Sequence, residues 1–296
     1  MQWMAAIQQA IIYMEEHLLE EINYEDVASR IHISSYEFHR AFTFLTGITA
    51  NSYIRNRRMS LAGREIMETD TKITDIALKY GYETPESFTK AFTRFHGIAP
   101  KYARDSSAKL TLFNPLVIKI SVEGGKSMDY RIVQTPQQMF LAITRNFRNE
   151  IINDEENHDI SDFWDMCMKQ NLVDPLLKLR PHGKQYLYGL CMPTKAGEDT
   201  FSYGIGIQID NDVPTGDVAE MKKSGYQIWN VNPGTYVVFD CIGDDGRCIS
   251  ETWSRFYREF LPQMGYEAVE EVDYERYAEN DCSGVFCELW IPVKKK

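Results

Sequence analysis

Long apolar runs are missing from these 296 residues, and none approaches the ~20 needed to cross a bilayer. The start, with Glu15 and Glu16 inside an amphipathic pattern, lacks the form of a signal peptide. A cytoplasmic protein with no membrane partner is expected. The six cysteines (Cys167, Cys191, Cys241, Cys248, Cys282, Cys287) all lie in the second part and none forms a C-x-x-C pair. That indicates neither a zinc site nor a disulfide framework and leaves buried free thiols as the expectation. Basic charge is also short: 32 Lys+Arg stand against 43 Asp+Glu, net −11. Residues 1–108 hold 12 basic against 14 acidic residues, net −2, which leaves 20 against 29, net −9, for the remainder. No overall basic domain announces nucleic-acid binding, so such a function must rest on where the charges sit. No nucleophile–base pair, metal-ligand spacing or phosphate loop is present, and neither metal nor cofactor is expected.

What is there is a stretch that occurs twice. Tyr36-Glu37-Phe38-His39-Arg40-Ala41-Phe42-Thr43-Phe44-Leu45 returns fifty positions later as Glu86-Ser87-Phe88-Thr89-Lys90-Ala91-Phe92-Thr93-Arg94-Phe95. Wound as a helix, Phe38, Ala41, Phe42 and Leu45 fall at i, i+3, i+4 and i+7, and Phe88, Ala91, Phe92 and Phe95 match them. These stripes must face a core. The opposite faces carry Tyr36, His39, Arg40 and Thr43, then Glu86, Thr89, Lys90 and Thr93, and are expected to be free to read something. Before each copy comes a short helix and a turn. Asn23 and Asp26 form a capping box ahead of Val27, Ala28 and Ile31, and Asp75-Ile76-Ala77 answers Asp26-Val27-Ala28. Gly47 and Gly97 end the paired helices. A connecting helix over roughly 50–69 would be on the order of 30 Å long at ~1.5 Å per residue, close to the ~34 Å between successive major grooves. One chain could then engage both. A helix bundle with merely solvated polar faces is the bland alternative, which the matched duplication disfavours.

Asp75-Ile76-Ala77-Leu78-Lys79-Tyr80-Gly81-Tyr82, with Ser87-Phe88-Thr89-Lys90-Ala91-Phe92 and Gly97-Ile98-Ala99-Pro100-Lys101-Tyr102-Ala103-Arg104, resembles the signature of the AraC/XylS transcription regulators. The resemblance covers about residues 5–104. It implies two helix-turn-helix motifs with base-reading positions at Tyr36, His39 and Arg40, then at Glu86, Thr89 and Lys90. Chemistry sorts the roles: a guanidinium such as Arg40 can pair with both guanine acceptors, while Thr89 and Lys90 suit phosphate. Glu86 could accept from cytosine or serve the helix dipole. One or two of Arg55, Arg57, Arg58 and Arg64 are expected at phosphates.

Asp105-Ser106-Ser107-Ala108 marks a boundary. The expected organisation is a DNA-binding domain over 1–108, a linker or docking segment over 109–127 and a second domain over 128–296. In that domain strand, strand, helix, strand, strand reads twice, giving a multidomain chain: an all-α double helix-turn-helix part and a duplicated α+β (β-β-α-β-β) part. Met128-Asp129-Tyr130-Arg131-Ile132-Val133, Pro233-Gly234-Thr235-Tyr236, Leu261-Pro262 with Gly265-Tyr266-Glu267, and Glu288-Leu289-Trp290-Ile291-Pro292-Val293 resemble the GyrI-like effector-binding domain. The resemblance implies an aromatic cleft with an acid on the last strand, here Glu288. Alternation puts Trp290 beside it, and Trp229, Tyr188 and Tyr203 are further candidates for the wall. An acid among rings suits a lipophilic cation.

The expected function is a regulator that binds double-stranded promoter DNA and senses a small-molecule effector, with RNA polymerase a further partner the reading allows. Two alternatives stay open: a GyrI-like hydrolase using Glu288 as general base, or a second domain that docks a protein and no small molecule.

Overall fold

The computed structural model describes residues 2–105, 107–118, 127–148, 159–180, 186–193, 200–210, 213–278 and 284–296. The chain divides into two compact units, residues 1–122 and 123–296, each with its own core. No described helix is long and apolar enough to cross a membrane.

Six helices build the first unit: α1 (Gln2–Glu16), α2 (Tyr24–Arg30), α3 (Ser35–Thr46), α4 (Ala50–Glu68), α5 (Ile73–Lys79) and α6 (Pro85–His96). Their ends follow the local chemistry. Asn23 and Asp26 form the capping box of α2, Ser34 caps α3 and Thr84 caps α6 with Pro85 in the first turn. Gly47 and Gly97 stop α3 and α6 in the left-handed region at φ 78° and 76°. Phe38, Phe42, Phe88 and Phe92 are fully buried, each contributing roughly 1.5–3 kcal/mol of transfer free energy. The duplication therefore produces two matched helix pairs, α2 with α3 and α5 with α6, joined by α4.

Two of the four arginines considered for phosphates are spent inside the unit. Arg57 donates to Glu15 through Nε at 2.8 Å and Nη2 at 2.9 Å, and Tyr53 donates to the same carboxylate at 2.7 Å. Arg58 donates to the carbonyls of Leu18 and Glu20 just past α1.

Residues 110–116 run extended across α4 without joining a ladder. The backbone N–H groups of Thr111, Phe113 and Leu116 donate to His96 Nδ1, Ser60 Oγ and Tyr53 Oη, and Arg57 Nη1 donates to the Phe113 carbonyl. This strap is pinned by side chains because it has no strand partner of its own. His96 is neutral by construction, since Nε2 faces the Met59 carbonyl at 3.0 Å while Nδ1 accepts from Thr111. Gly63 makes room for the ring: a Cβ there would sit 2.8 Å from it.

Burial lowers the His96 pKa below its ordinary 6.5. A group whose folded pKa is depressed adds stability above its unfolded pKa and loses it as pH falls through the folded one. The first unit is thus expected to weaken as pH drops below about 6.5, and an NMR titration of the His96 ring with a midpoint at or above 6.5 would refute this.

The second unit is one antiparallel sheet of nine strands: β1 (Arg131–Thr135), β2 (Gln138–Arg148), β3 (Tyr186–Met192), β4 (Thr200–Ile209), β5 (Gln227–Val231), β6 (Gly234–Ile242), β7 (Tyr266–Ala268), β8 (Asp273–Ala278) and β9 (Val285–Lys295). The order is β1-β6-β9-β8-β3-β4-β2-β5, with β7 on β9. The halves meet where β8 pairs with β3. Helices α7 (Asp159–Lys169), α8 (Asp174–Leu179), α9 (Thr215–Lys223) and α10 (Arg247–Arg255) complete it, α10 running on into a π turn over Phe256–Phe260. The short α8, α9 and β7 add to the two repeats read in the sequence.

Strand alternation divides the sheet into unlike faces. One is covered by helices. Phe163 of α7 packs with Phe147, Phe201 and Ile205, Leu176 of α8 with Leu141 and Ile207, and Phe239 of β6 with Phe256 and Phe260. The other carries Phe140, Tyr188, Trp229, Tyr236, Tyr274 and Trp290, buried against one another. The five described cysteines are buried free thiols, and Cys282 lies outside the described residues.

Candidate functional site

The two repeated helices differ in what they offer. On α6, Glu86, Lys90 and Arg94 are exposed and Thr89 and Thr93 half-buried, while Phe88 and Phe92 are sealed in the core. This polar face is open as expected.

The corresponding face of α3 is closed, which corrects the expectation for Tyr36, His39, Arg40 and Thr43. All four are buried, Arg40 to 5% and His39 to 4%. The Arg40 guanidinium lies 5.3 Å from the Tyr36 ring centroid and 5.8 Å from that of Phe44, and it donates to the Tyr36 hydroxyl. His39 packs edge-on against Tyr24 at 5.5 Å, and Thr43 donates back to the His39 carbonyl at 2.7 Å. Aromatic neighbours at i±4 give an amphipathic cation a place to lay its stem, which α6 lacks at Lys90.

Glu288 and Trp290 share a face, as alternation required, but that face is the aromatic core. Trp290, Trp229 and Tyr188 are 8%, 4% and 4% exposed; Tyr188 packs on Phe140 at 5.0 Å and Trp290 stacks on Tyr274 at 5.4 Å. Glu288 accepts from Arg131 at 2.5 Å, from Trp290 Nε1 at 2.9 Å and from Arg276. Burial opposes its charge, but those three donors outweigh it and hold the carboxyl below its ordinary value. A carboxylate so committed has little charge to spare for a cation or for general-base work.

Tyr203, the fifth residue expected in the effector wall, lies on the helix-covered face and leads to a different acid. Its hydroxyl donates to Glu275 Oε2 at 2.8 Å and accepts from Trp164 Nε1 at 2.9 Å. Trp164 comes from α7, Tyr203 from β4 and Glu275 from β8. The indole of Trp164 also meets Tyr277 edge-on at 5.2 Å, and Tyr277 meets Phe286 at 5.7 Å. Burial first, then the charge of Glu275, push the Tyr203 and Tyr277 phenols well above their ordinary pKa. Both stay protonated donors, so the local charge is the carboxylate's.

Gly189, directly opposite Glu275 on β3, makes this possible. A Cβ there would overlap both Glu275 Oε2 and the Tyr203 hydroxyl. The strip formed by Gly189, Glu275 and Leu289 lies between the strands under α7 and those under α10, where the two halves join.

Sequence reasoning passed over Glu275, Trp164, Tyr277 and Gly189. The signal was present: in Tyr274-Glu275-Arg276-Tyr277 the acid alternates away from Tyr274, and Tyr188-Gly189-Leu190 carries a glycine in a strand that otherwise needs none.

A double helix-turn-helix unit followed along the chain by a duplicated antiparallel sheet with an acid among rings defines a class: DNA-binding proteins that carry an effector-binding domain. Residues 131–293 match the family described as integron-associated effector binding protein, and residues 27–106 match a helix-turn-helix domain. The chain belongs to that effector-binding family and carries an AraC-type DNA-binding part ahead of it. It is 25% identical over 300 residues to the right origin-binding protein of Escherichia coli K12, covering 98% of each chain. It is 37% identical over 106 residues to the HTH-type transcriptional regulator YbfP of Bacillus subtilis, covering 36% of this chain and about a third (36%) of that protein's length. The solved structure of SAV2435 bound to tetraphenylphosphonium covers 56% of this chain and 94% of its own at 21% identity and TM-score 0.47.

Proposed function

We propose that the chain regulates transcription by binding promoter DNA through α6 and by taking up an apolar cation at Glu275. For the DNA side, the open face of α6 supports Thr89 and Lys90 as phosphate contacts and Glu86 as a residue of the first helical turn. Arg40 and His39 of α3 join only when the packing on Tyr36, Phe44 and Tyr24 opens. RNA polymerase is the protein such a regulator would meet at a promoter.

The observation that carries the effector side is the Glu275–Tyr203–Trp164 chain. One negative charge, held by a protonated phenol and bordered by indole and phenol rings, suits a flat delocalised cation, combining charge attraction with cation–π contact.

Two measurements test this. Replacing Lys90 by alanine should weaken binding to the chain's own upstream DNA about tenfold at low salt and reduce the slope of log K against log salt by about 0.9, one phosphate contact. An unchanged slope removes Lys90 from the interface. For the effector, Glu275→Gln should weaken rhodamine 6G binding about tenfold while leaving an uncharged xanthene of similar shape unaffected. Equal affinity of both proteins for the cation would refute the assignment.

A further inference from the structure

Cys241 and Cys287 stand directly opposite each other on β6 and β9, on the helix-covered face, 0% and 2% exposed. Direct partners in an antiparallel pair have Cα atoms ~4.5–5.5 Å apart, inside the range of ~4.4–6.8 Å that a disulfide spans, so a bond needs no strand movement. The Cys287 thiol facing it lowers the Cys241 pKa from its ordinary value. Nothing in the regulator's DNA or effector chemistry uses them. The pair also sits at a break in the sheet: the register shifts between Cys241 and Ile242, and Ile242 is 66% exposed. A bulge beside a buried site is where a ladder opens locally and admits a small reagent.

We infer that Cys241 and Cys287 form a reversible dithiol site that a hydroperoxide oxidises to a disulfide. Cys241, favoured as thiolate by its neighbour, attacks the terminal oxygen of the hydroperoxide. An S–O bond forms, the O–O bond breaks, and the alkoxide leaves with a proton as the alcohol. The Cys287 sulfur then attacks the sulfenic sulfur of Cys241. The S–S bond forms, the S–O bond breaks, and hydroxide leaves with the Cys287 proton as water. Two thiols and one hydroperoxide give one disulfide, one alcohol and one water, with two electrons passing to the peroxide. The product ties β6 to β9 beside the strip that holds Glu275, so oxidation stiffens the floor of the effector site.

The test uses the full-length chain, reduced and then treated with cumene hydroperoxide under native conditions. Peptide mapping should recover a Cys241–Cys287 linkage, dithiothreitol should reverse it, and the urea midpoint of the oxidised protein should rise. Cys287→Ser should show neither the linkage nor the rise. Thiols that stay free, sulfinic acid at Cys241, or pairing of other cysteines instead would each overturn the inference. Because the mapping is done on the unaltered protein, the result stands whether or not the variant folds, and whether or not rhodamine 6G binds.

Discussion

Gly189→Ala is expected to weaken effector binding about 100-fold while leaving the protein folded. The added Cβ would overlap the carboxylate of Glu275, a flexible end that can turn away, and the hydroxyl of Tyr203, whose buried ring must shift with it. No backbone atom is in the way, so the β3–β8 pairing survives and the acid–phenol bond does not. The site then loses the position of its one charge, and rhodamine 6G affinity should fall about 100-fold, ~2.7 kcal/mol. Fluorescence titration reads the affinity, and thermal unfolding by circular dichroism should stay cooperative with a loss of about 1–3 kcal/mol from overpacking. A Gly189→Ala protein that binds the cation normally would dismiss the Glu275 strip as the effector site. Tyr203→Phe should act in the same direction and more weakly, because it removes one donor and keeps the ring.

Glu15→Ala should have the largest effect on stability in the first unit. Glu15 takes three hydrogen bonds, two from Arg57 and one from Tyr53, and the Arg57 side chain is only 8% exposed. Removing the acid leaves a buried guanidinium without its counter-charge, which costs about 3–5 kcal/mol. The same two residues pin the strap at Phe113 and Leu116. Urea denaturation should therefore show the loss, and amide exchange should report it together in α4 and in residues 111–116. A change below about 1 kcal/mol would mean that water replaces the carboxylate at no cost. Glu15→Gln, which keeps an acceptor, should lose less.

These expectations rest on contacts of unequal legibility. The helices of the first unit could be read from short-range chemistry: Asn23 with Asp26, Ser34, Thr84 and Pro85, Gly47 and Gly97 act within one turn of themselves. The strand repeats of the second unit were legible for the same reason, through alternation and turns.

Whether a polar face is open was not legible. The two copies share their apolar stripe, yet Tyr36 and Phe44 give Arg40 a surface to lie on, and the side chains around Lys90 give it none. Nor was it legible which acid stands among usable rings. Glu288 and Glu275 each lie near aromatics in the sequence, and alternation assigned Glu288 correctly to the face of Trp290. Only the pairing of distant strands set Arg276 directly opposite the carboxylate, brought Arg131 onto it from β1 and buried that face in the aromatic core.

From its sequence alone, then, this chain's helix ends, its duplications and its two-part organisation as a DNA-binding and effector-binding protein follow, because each depends on residues within a few positions or on a repeated pattern. The tertiary structure alone decided which of the matched helices presents its polar face and which partners each carboxylate meets. Both depend on partners brought from distant strands and helices: Trp164 and Gly189 for Glu275, Arg131 for Glu288. No local spacing encodes such meetings.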